Sequence, residues 1–139
     1  MEKKTDKILR GKGKILLMDD EDVLRESTGR VLNHLGYEVE LARDGAEVIE
    51  IYKKARESRQ PFDTVIMDLL ISGEMGCKEA IQELIEIDPE VKAIVSSGYS
   101  NHPVMADYRK YGFSAAIAKP YTIKELSEIL HKVIMGIGE

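Results

Sequence analysis

The sequence predicts an α/β fold in which five parallel strands alternate with five helices. Short apolar segments recur along the chain, segments with apolar residues at helical spacing lie between them, and the connections are short. The apolar run at residues 15–18 is typical of a strand covered on both faces, as in a parallel sheet. The 139 residues suffice for one domain with a core.

Five segments are predicted as strands because they are apolar or alternate between apolar and polar residues. They are residues 14–18, 37–42, 64–68, 91–96 and 115–118. The second alternates apolar residues with Glu38 and Glu40, which is typical of a half-covered strand. The others are rich in apolar side chains, which favours a sheet with helices on both faces.

Helices are predicted between the strands and after the last one. They cover residues 21–35, with Leu24, Val31, Leu32 and Leu35 as the apolar stripe, then 45–57, 78–87, a segment from near Asn101 to Gly112, and a last helix after Thr122. Asp44 with Glu47, and Thr122 with Glu125, have capping-box spacing.

Five strand–helix units with short, right-handed connections predict a doubly wound sheet. The flavodoxin-like strand order 2-1-3-4-5 is the common choice for a chain of this size. That order places a ligand crevice between strands 1 and 3. We expect residues 1–13 to form a flexible N-terminal lead-in and residues 14–139 to form the domain.

Composition narrows the class of protein. The net charge of −5 and the scattered basic residues argue against a nucleic-acid partner. A single cysteine, Cys77, excludes an intramolecular disulfide and suits a reducing cytoplasm. No apolar run approaches the roughly 20 residues of a membrane span. We therefore expect a cytoplasmic protein with no membrane partner.

Polar residues that could bind a metal ion or take part in a reaction lie at the ends of four of the predicted strands. Asp19 and Asp20 follow the first strand, Asp68 ends the third, Ser97 follows the fourth and Lys119 follows the fifth. Each could be an ordinary cap or turn residue by itself, but together they would share one edge of the sheet. Carboxylate oxygens suit Mg²⁺, and a lysine and a hydroxyl beside it suit a phosphoryl group. An Asp there can also act as a nucleophile.

The motifs as a set resemble the receiver domains of two-component response regulators, which have a CheY-like fold. The matching segments are residues 14–21, 65–69, 97–99 and 118–121, and their order and separations fit that family from residue 14 to residue 134. Residues 73–79 and 94–100 look most like receivers of hybrid sensor histidine kinases.

The resemblance implies a metal site for Mg²⁺ or Mn²⁺. Asp20, Asp68 and the backbone carbonyl of Leu70 would bind the ion directly, and Asp19 would bind it through a water molecule. The chain would not be an enzyme beyond catalysing its own phosphorylation and dephosphorylation.

The same resemblance implies that Asp68 is the phosphoacceptor. Lys119 would pair with a phosphoryl oxygen, with its bond to Pro120 cis, and Ser97 would be the switch hydroxyl. Ser97 is preferred to Ser96 because its separation from Lys119 fits the family and it directly precedes a glycine.

The resemblance also implies how the domain communicates. The donor would be a phosphohistidine of a sensor histidine kinase or a histidine phosphotransfer domain. The output would pass through the face of strand 4, helix 4, strand 5 and helix 5 to a partner that the sequence does not name. We expect a monomer or weak dimer, either a receiver that stands alone or part of a hybrid kinase.

Three other classes of protein share parts of this pattern. A haloacid-dehalogenase-like phosphatase also uses an Asp and Mg²⁺ after strand 1, but Leu24 stands where its motif expects Thr or Val. A flavodoxin-like FMN carrier would want a phosphate loop in place of the acidic one. A receiver that only binds partners would not need the full set of site side chains.

Three positions depart from the usual receiver pattern. Ser72, four residues after Asp68, stands where the family usually has Pro. Ala116 stands three residues before Lys119, where the family often has Tyr or Phe, so no aromatic side chain can respond there. Leu70, two residues after Asp68, is apolar and cannot orient a hydrolytic water.

We therefore expect the phosphoryl group on Asp68 to be lost more slowly from the wild type than from Leu70→Asn. Release of phosphate from the two phosphorylated proteins, measured side by side, tests this expectation. Equal rates would contradict it.

Overall fold

The computed structural model describes residues 10–69, 76–98 and 102–136. Strands and helices alternate as the sequence predicts: β1 Gly13–Met18, α1 Asp22–His34, β2 Tyr37–Ala42, α2 Gly45–Glu57, β3 Thr64–Asp68, α3 Cys77–Ile87, β4 Ala93–Ser97, α4 Pro103–Ala106, a 3₁₀ helix Tyr108–Tyr111, β5 Ala115–Ala118 and α5 Ile123–Met135. None of these helices has the length and apolar character that crossing a bilayer requires.

The five strands form one parallel sheet in the order β2-β1-β3-β4-β5. The predicted order 2-1-3-4-5 is therefore confirmed. Alternate side chains of each strand lie on opposite faces. One face packs against α2, α3 and α4, with Met67 and Val95 at its centre. The other packs against α1 and α5, with Ile66 and Ile94 at its centre.

The bounds of β4 differ from the prediction at both ends. The strand starts at Ala93 rather than at Val91, and it includes Ser97. The Val91 N–H donates to the Asp88 carbonyl at 3.0 Å, so Val91 belongs to the turn that follows α3. The apolar character of Val91 misled the prediction because a residue of a turn can also pack against the core.

The predicted fourth helix is interrupted. A single α turn, Pro103–Ala106, is followed by a 3₁₀ helix, with Asp107 at φ −126° and ψ 42° between them. Asp is a weak helix former in a helix interior, which accounts for a break at this residue. Gly112 ends the segment at φ +105°, as predicted. The predicted start near Asn101 lies outside the described residues.

The two predicted capping boxes have different outcomes. Thr122 and Glu125 form a complete box at the start of α5. At α2 the Asp44 carboxylate accepts the Glu47 N–H at 3.0 Å, but Glu47 accepts from the N–H of Arg43 at 2.8 Å. Glu47 also pairs with the Arg43 guanidinium at 2.9 Å. The salt bridge draws the carboxylate one residue back, so this box is only half formed.

The apolar stripe predicted for α1 is wrong at Leu24. That side chain is 41% exposed, whereas Leu32 and Leu35 are buried. The buried residues of α1, Gly29 and Leu32, lie in its later turns. Helical spacing identifies a shared face, but it does not show that the core stops short of Leu24.

The chain is already bound to the domain before β1 begins. The Gly11 N–H donates to the Leu35 carbonyl at 2.8 Å, and the Arg10 guanidinium donates to the His34 carbonyl at 2.8 Å. β1 begins at Gly13, one residue before the predicted start. Residues 1–9 lie outside the described part of the chain, and the predicted division at residue 13 stays a prediction.

The close approach of Gly36 to Gly11 gives a test of this packing. Gly36 and Gly112 have similar backbone angles, φ +110° and +105°. A Cβ at Gly36 would collide with the Gly11 carbonyl oxygen, whereas one at Gly112 would meet the end of the flexible Ile85 side chain. We expect Gly36→Ala and Gly112→Ala each to lower the free energy of unfolding by about 1–3 kcal/mol.

The loss should be greater at Gly36, because a backbone carbonyl cannot rotate away as a side chain can. Urea denaturation followed by circular dichroism measures both variants against the wild type. A larger loss for Gly112→Ala would contradict the expected contact.

Candidate functional site

The end of β1 holds an acidic loop in a fixed position. Asp19 is 5% exposed, and its N–H donates to the Ala42 carbonyl of β2 at 3.0 Å. Its side chain accepts the Glu21 N–H at 2.9 Å, and its carbonyl accepts from the Arg25 guanidinium at 2.8 Å. Arg25 also pairs with Asp22 at 2.6 Å. These bonds anchor the loop to the sheet and to α1.

Three carboxylates converge where β1 and β3 end. Asp19, Asp20 and Asp68 each offer an oxygen atom, and these atoms all lie within 4.8 Å of one another. Such a set of hard oxygen donors fits Mg²⁺ or Mn²⁺. The predicted carbonyl ligand, Leu70, lies outside the described residues.

Lys119 brings a positive charge to the acids. Its Nζ lies 3.4 Å from Oδ2 of Asp68 and 3.5 Å from Oδ2 of Asp19. Burial lowers the pKa of the Lys119 ammonium, but attraction by the charges of Asp68 and Asp19 outweighs burial, and the net pKa is raised. The Lys119 side chain is therefore a cation at neutral pH.

The ends of β4 and β5 place the remaining predicted residues. Ser97 is the last residue of β4 and is 1% exposed. Its carbonyl accepts the Lys119 N–H at 2.8 Å, so β4 and β5 remain paired up to the site. The bond between Lys119 and Pro120 is cis, as the resemblance implied. The structure thus brings Asp19, Asp68 and Lys119 together at one edge, with Ser97 at the end of the neighbouring strand; their roles stay predictions.

Two residues near the site received no role from the sequence. Arg25 holds the Asp19 carbonyl, and nothing in the spacing of α1 distinguishes it from a surface arginine. The Tyr121 side chain, in the loop after β5, lies near Thr28 of α1 and near the charges of Lys119 and Asp19. Burial raises the pKa of the Tyr121 hydroxyl, so it stays protonated. Tyr121 belongs to a motif segment, residues 118–121, but only the three-dimensional structure shows its neighbours.

The fold and the site define a family. The model of the response regulator receiver domain matches residues 15–131, so the chain belongs to that family. Receiver domains of this family are signalling phosphoacceptors that work with histidine kinases and phosphotransfer partners. This membership favours the receiver over the phosphatase and the FMN carrier considered from the sequence.

Known proteins of two kinds resemble the chain. It is 32% identical to the chemotaxis protein CheY of Thermotoga maritima over 121 residues, covering 86% of the chain and 96% of that protein. It is 33% identical to the sensor kinase CckA of Brucella abortus over 140 residues, covering 96% of the chain but 14% of that protein. The chain is thus similar both to an almost whole small regulator and to one part of a large kinase.

A solved structure shows the same likeness. The receiver domain of a sensor histidine kinase from Pseudomonas aeruginosa, solved with a magnesium ion coordinated in its active-site cleft, is 25% identical. It aligns with a TM-score of 0.77, over 90% of this chain and 99% of that one.

The thiol of Cys77 lies near the site but is buried. Cys77 is 1% exposed, and burial, followed by the negative charge of Asp68, raises its pKa to about 12. A raised thiol pKa disfavours the reactive thiolate. The environment therefore supports the prediction that Cys77 is a packing residue.

We expect a thiol reagent at pH 8 to modify Cys77 at least about 100-fold more slowly in the native protein than in the unfolded chain, where the thiol pKa returns to about 8.5. The rate of absorbance change with a chromogenic disulfide reagent, with and without guanidinium chloride, measures the difference. Comparable rates would show that the thiol is accessible in the folded protein.

Proposed function

We propose that Asp68 is the phosphoacceptor of a two-component relay. The observation that carries the proposal is the position of its carboxylate, which lies close to those of Asp19 and Asp20 and 3.4 Å from the Lys119 ammonium. The donor would be a phosphohistidine of a sensor histidine kinase or of a histidine phosphotransfer domain. His34, His102 and His131 are scattered in the sequence, so the donor histidine should come from a partner.

Asp19, Asp20 and Asp68 are the residues that would hold Mg²⁺ or Mn²⁺, together with the Leu70 carbonyl. The fit rests on the donor set: three carboxylate oxygens close together, one buried residue and two partly buried. A divalent cation there would offset the acidic charge and stabilise the negative charge of a phosphoryl group.

The protein groups supply the remaining chemistry. A carboxylate oxygen of Asp68 forms the new P–O bond while the P–N bond of the donor breaks, and that electron pair leaves with the imidazole. The product is an acyl phosphate on Asp68. The Lys119 ammonium would pair with a phosphoryl oxygen, because its present partners at 3.4 and 3.5 Å are longer than tight charged hydrogen bonds. In this proposal the domain catalyses only its own phosphorylation and dephosphorylation.

Phosphorylation would act as a switch through charge. It adds a charge of about −1.5 to −2 at neutral pH. The Ser97 hydroxyl at the end of β4 would move toward the phosphoryl group to hydrogen-bond it. The Lys119 N–H donates to the Ser97 carbonyl, so a movement of β4 would also move β5. The output face of the proposal is the surface of β4, α4, β5 and α5.

The shape of this face differs from one with an aromatic residue at position 116. A cleft of about 580 Å³ lies between the 3₁₀ helix, β5 and α5, and Tyr108, Ala116 and Ile129 are among its lining residues. The small Ala116 side chain leaves this space open. We propose that the output partner binds this face and responds to shifts of its backbone and helices. The domain would be a monomer or weak dimer in the cytoplasm.

The acceptor is tested by intact mass spectrometry after incubation with Mg²⁺ and acetyl phosphate. We expect the wild type to gain one phosphoryl group and Asp68→Asn to gain none, because an amide cannot form the acyl phosphate. Asp107→Asn is the matched control, since Asp107 is an exposed acid distant in sequence from the cluster, and it should behave like the wild type.

Removal of the divalent cation with a chelator should prevent the gain of mass in the wild type. A phosphoryl group on Asp68→Asn would show that another residue is the acceptor. Failure of the folded wild type to react with any phosphodonor would contradict the proposed function as a whole.

A further inference from the structure

The hydroxyl of Ser96 stands out among the buried polar groups. Ser96 is 2% exposed, and its Oγ is the only buried side-chain nitrogen or oxygen for which the described residues provide no hydrogen-bond partner. A buried hydroxyl without a partner costs about 1–3 kcal/mol. Such a group calls for a physical explanation, and its place in the sheet suggests one.

The strand register places Ser96 directly beside the acidic cluster. Ser96 pairs with Asp68 on β3 and with Ile117 on β5. Ile66 and Ile94 lie on the sheet face that packs against α1 and α5. Because side chains alternate along a strand, Asp68 and Ser96, each two residues further on, lie on that same face. The hydroxyl is thus the lateral neighbour of the Asp68 side chain.

The Lys119 side chain must cross the strand that carries Ser96. Its backbone pairs with β4 from the far side, at the Ser97 carbonyl, yet its ammonium reaches Asp68 on β3. β4 lies between β5 and β3, and neighbouring strands are about 4.8 Å apart. The lysine side chain therefore passes over the end of β4, where Ser96 lies.

The ammonium is held loosely at its two known partners. The distances of 3.4 Å to Asp68 and 3.5 Å to Asp19 exceed the roughly 2.7–2.9 Å of a tight charged hydrogen bond. An ammonium has three N–H donors, so two carboxylate contacts leave one N–H able to donate to a further acceptor. A serine hydroxyl on the same face can provide that acceptor by rotation about χ1.

We propose that Ser96 is a positioning residue for Lys119, and that its hydroxyl accepts an N–H of the ammonium once Asp68 carries a phosphoryl group. This inference rests on the proposed function. When Asp68 becomes an acyl phosphate, its carboxylate charge is lost and the ammonium turns toward the phosphoryl oxygens. The Ser96 hydroxyl then steadies the lysine in its new orientation, so the unpaired hydroxyl of the unphosphorylated protein gains its partner in the phosphorylated one.

Replacement of a purely structural serine would lower both the stability of the protein and its affinity for a phosphoryl mimic, whereas replacement of a positioning serine would lower only the affinity. Ser96→Ala should leave the unphosphorylated protein as stable as the wild type or more stable, because an unpaired buried hydroxyl is removed. The same variant should bind the phosphoryl mimic beryllofluoride, at saturating Mg²⁺, about three- to tenfold more weakly, which is the loss expected for one hydrogen bond. Ser96→Thr retains the hydroxyl and should restore most of the affinity.

Two further variants make the test specific. Ser127 is equally buried, but its hydroxyl donates to the Lys124 carbonyl at 2.8 Å. Ser127→Ala should therefore lower stability and leave beryllofluoride affinity unchanged. Lys119→Gln tests whether Ser96 acts through the lysine: in that background Ser96→Ala should cause no further loss of affinity, since coupled residues are not additive.

Titration calorimetry with beryllofluoride and Mg²⁺, together with urea denaturation of the free proteins, gives both quantities. The inference would be overturned if Ser96→Ala bound beryllofluoride as tightly as the wild type. It would also be overturned if Ser96→Ala weakened binding equally in the wild type and in Lys119→Gln. If the wild type itself is folded, binds no beryllofluoride and accepts no phosphoryl group, the proposed function fails as well. A wild type that binds normally alongside an unaffected Ser96→Ala refutes the role of Ser96 alone.

Discussion

Mutual repulsion of three carboxylates at one edge of the sheet is the constraint on which the site depends. Asp19, Asp20 and Asp68 lie close enough together for their charges to oppose one another. The protein holds them there by backbone bonds at the end of β1, by the Arg25 contact and by the nearby Lys119 ammonium. An arrangement that costs energy in the free protein favours the binding of a divalent cation, which would relieve that cost.

The sheet order converts distant sequence positions into neighbours. Asp19 and Lys119 are 100 residues apart, and they meet because β1 and β3 are adjacent at the centre of the sheet while the lysine reaches inward from β5. Right-handed connections place α1 and α5 on one face and α2 to α4 on the other. The predicted site residues lie at the edge where the strands end, beside Asp68 and Lys119.

Local signals were sufficient for most of the fold. β2, β3 and β5 match the predicted bounds because their apolar segments are flanked by turn residues that leave one choice. The position of the site also followed, since every parallel strand ends at the same edge. The break at Asp107 and the half-formed box at Asp44 could not be predicted, because each depends on a balance between weak local preferences and neighbouring side chains.

The finer features of the site needed the register as well as the elements. The sequence favours Ser97 as the switch hydroxyl, but no pattern along the chain shows that Ser96 is the residue of β4 that pairs with Asp68. The exposure of Leu24 likewise depends on the packing of α1 and not on the spacing of its apolar residues. Sequence periodicity identifies which residues share a face, but it does not show where that face ends.

The contact of Arg25 with the acidic loop has a mechanical consequence. The Arg25 guanidinium donates to the Asp19 carbonyl at 2.8 Å, which joins α1 directly to the loop that carries two of the three carboxylates. Displacement of α1 relative to the sheet must stretch or break this bond. A cation held by the acids and the position of α1 would then be coupled, and the coupling free energy is the same in both directions.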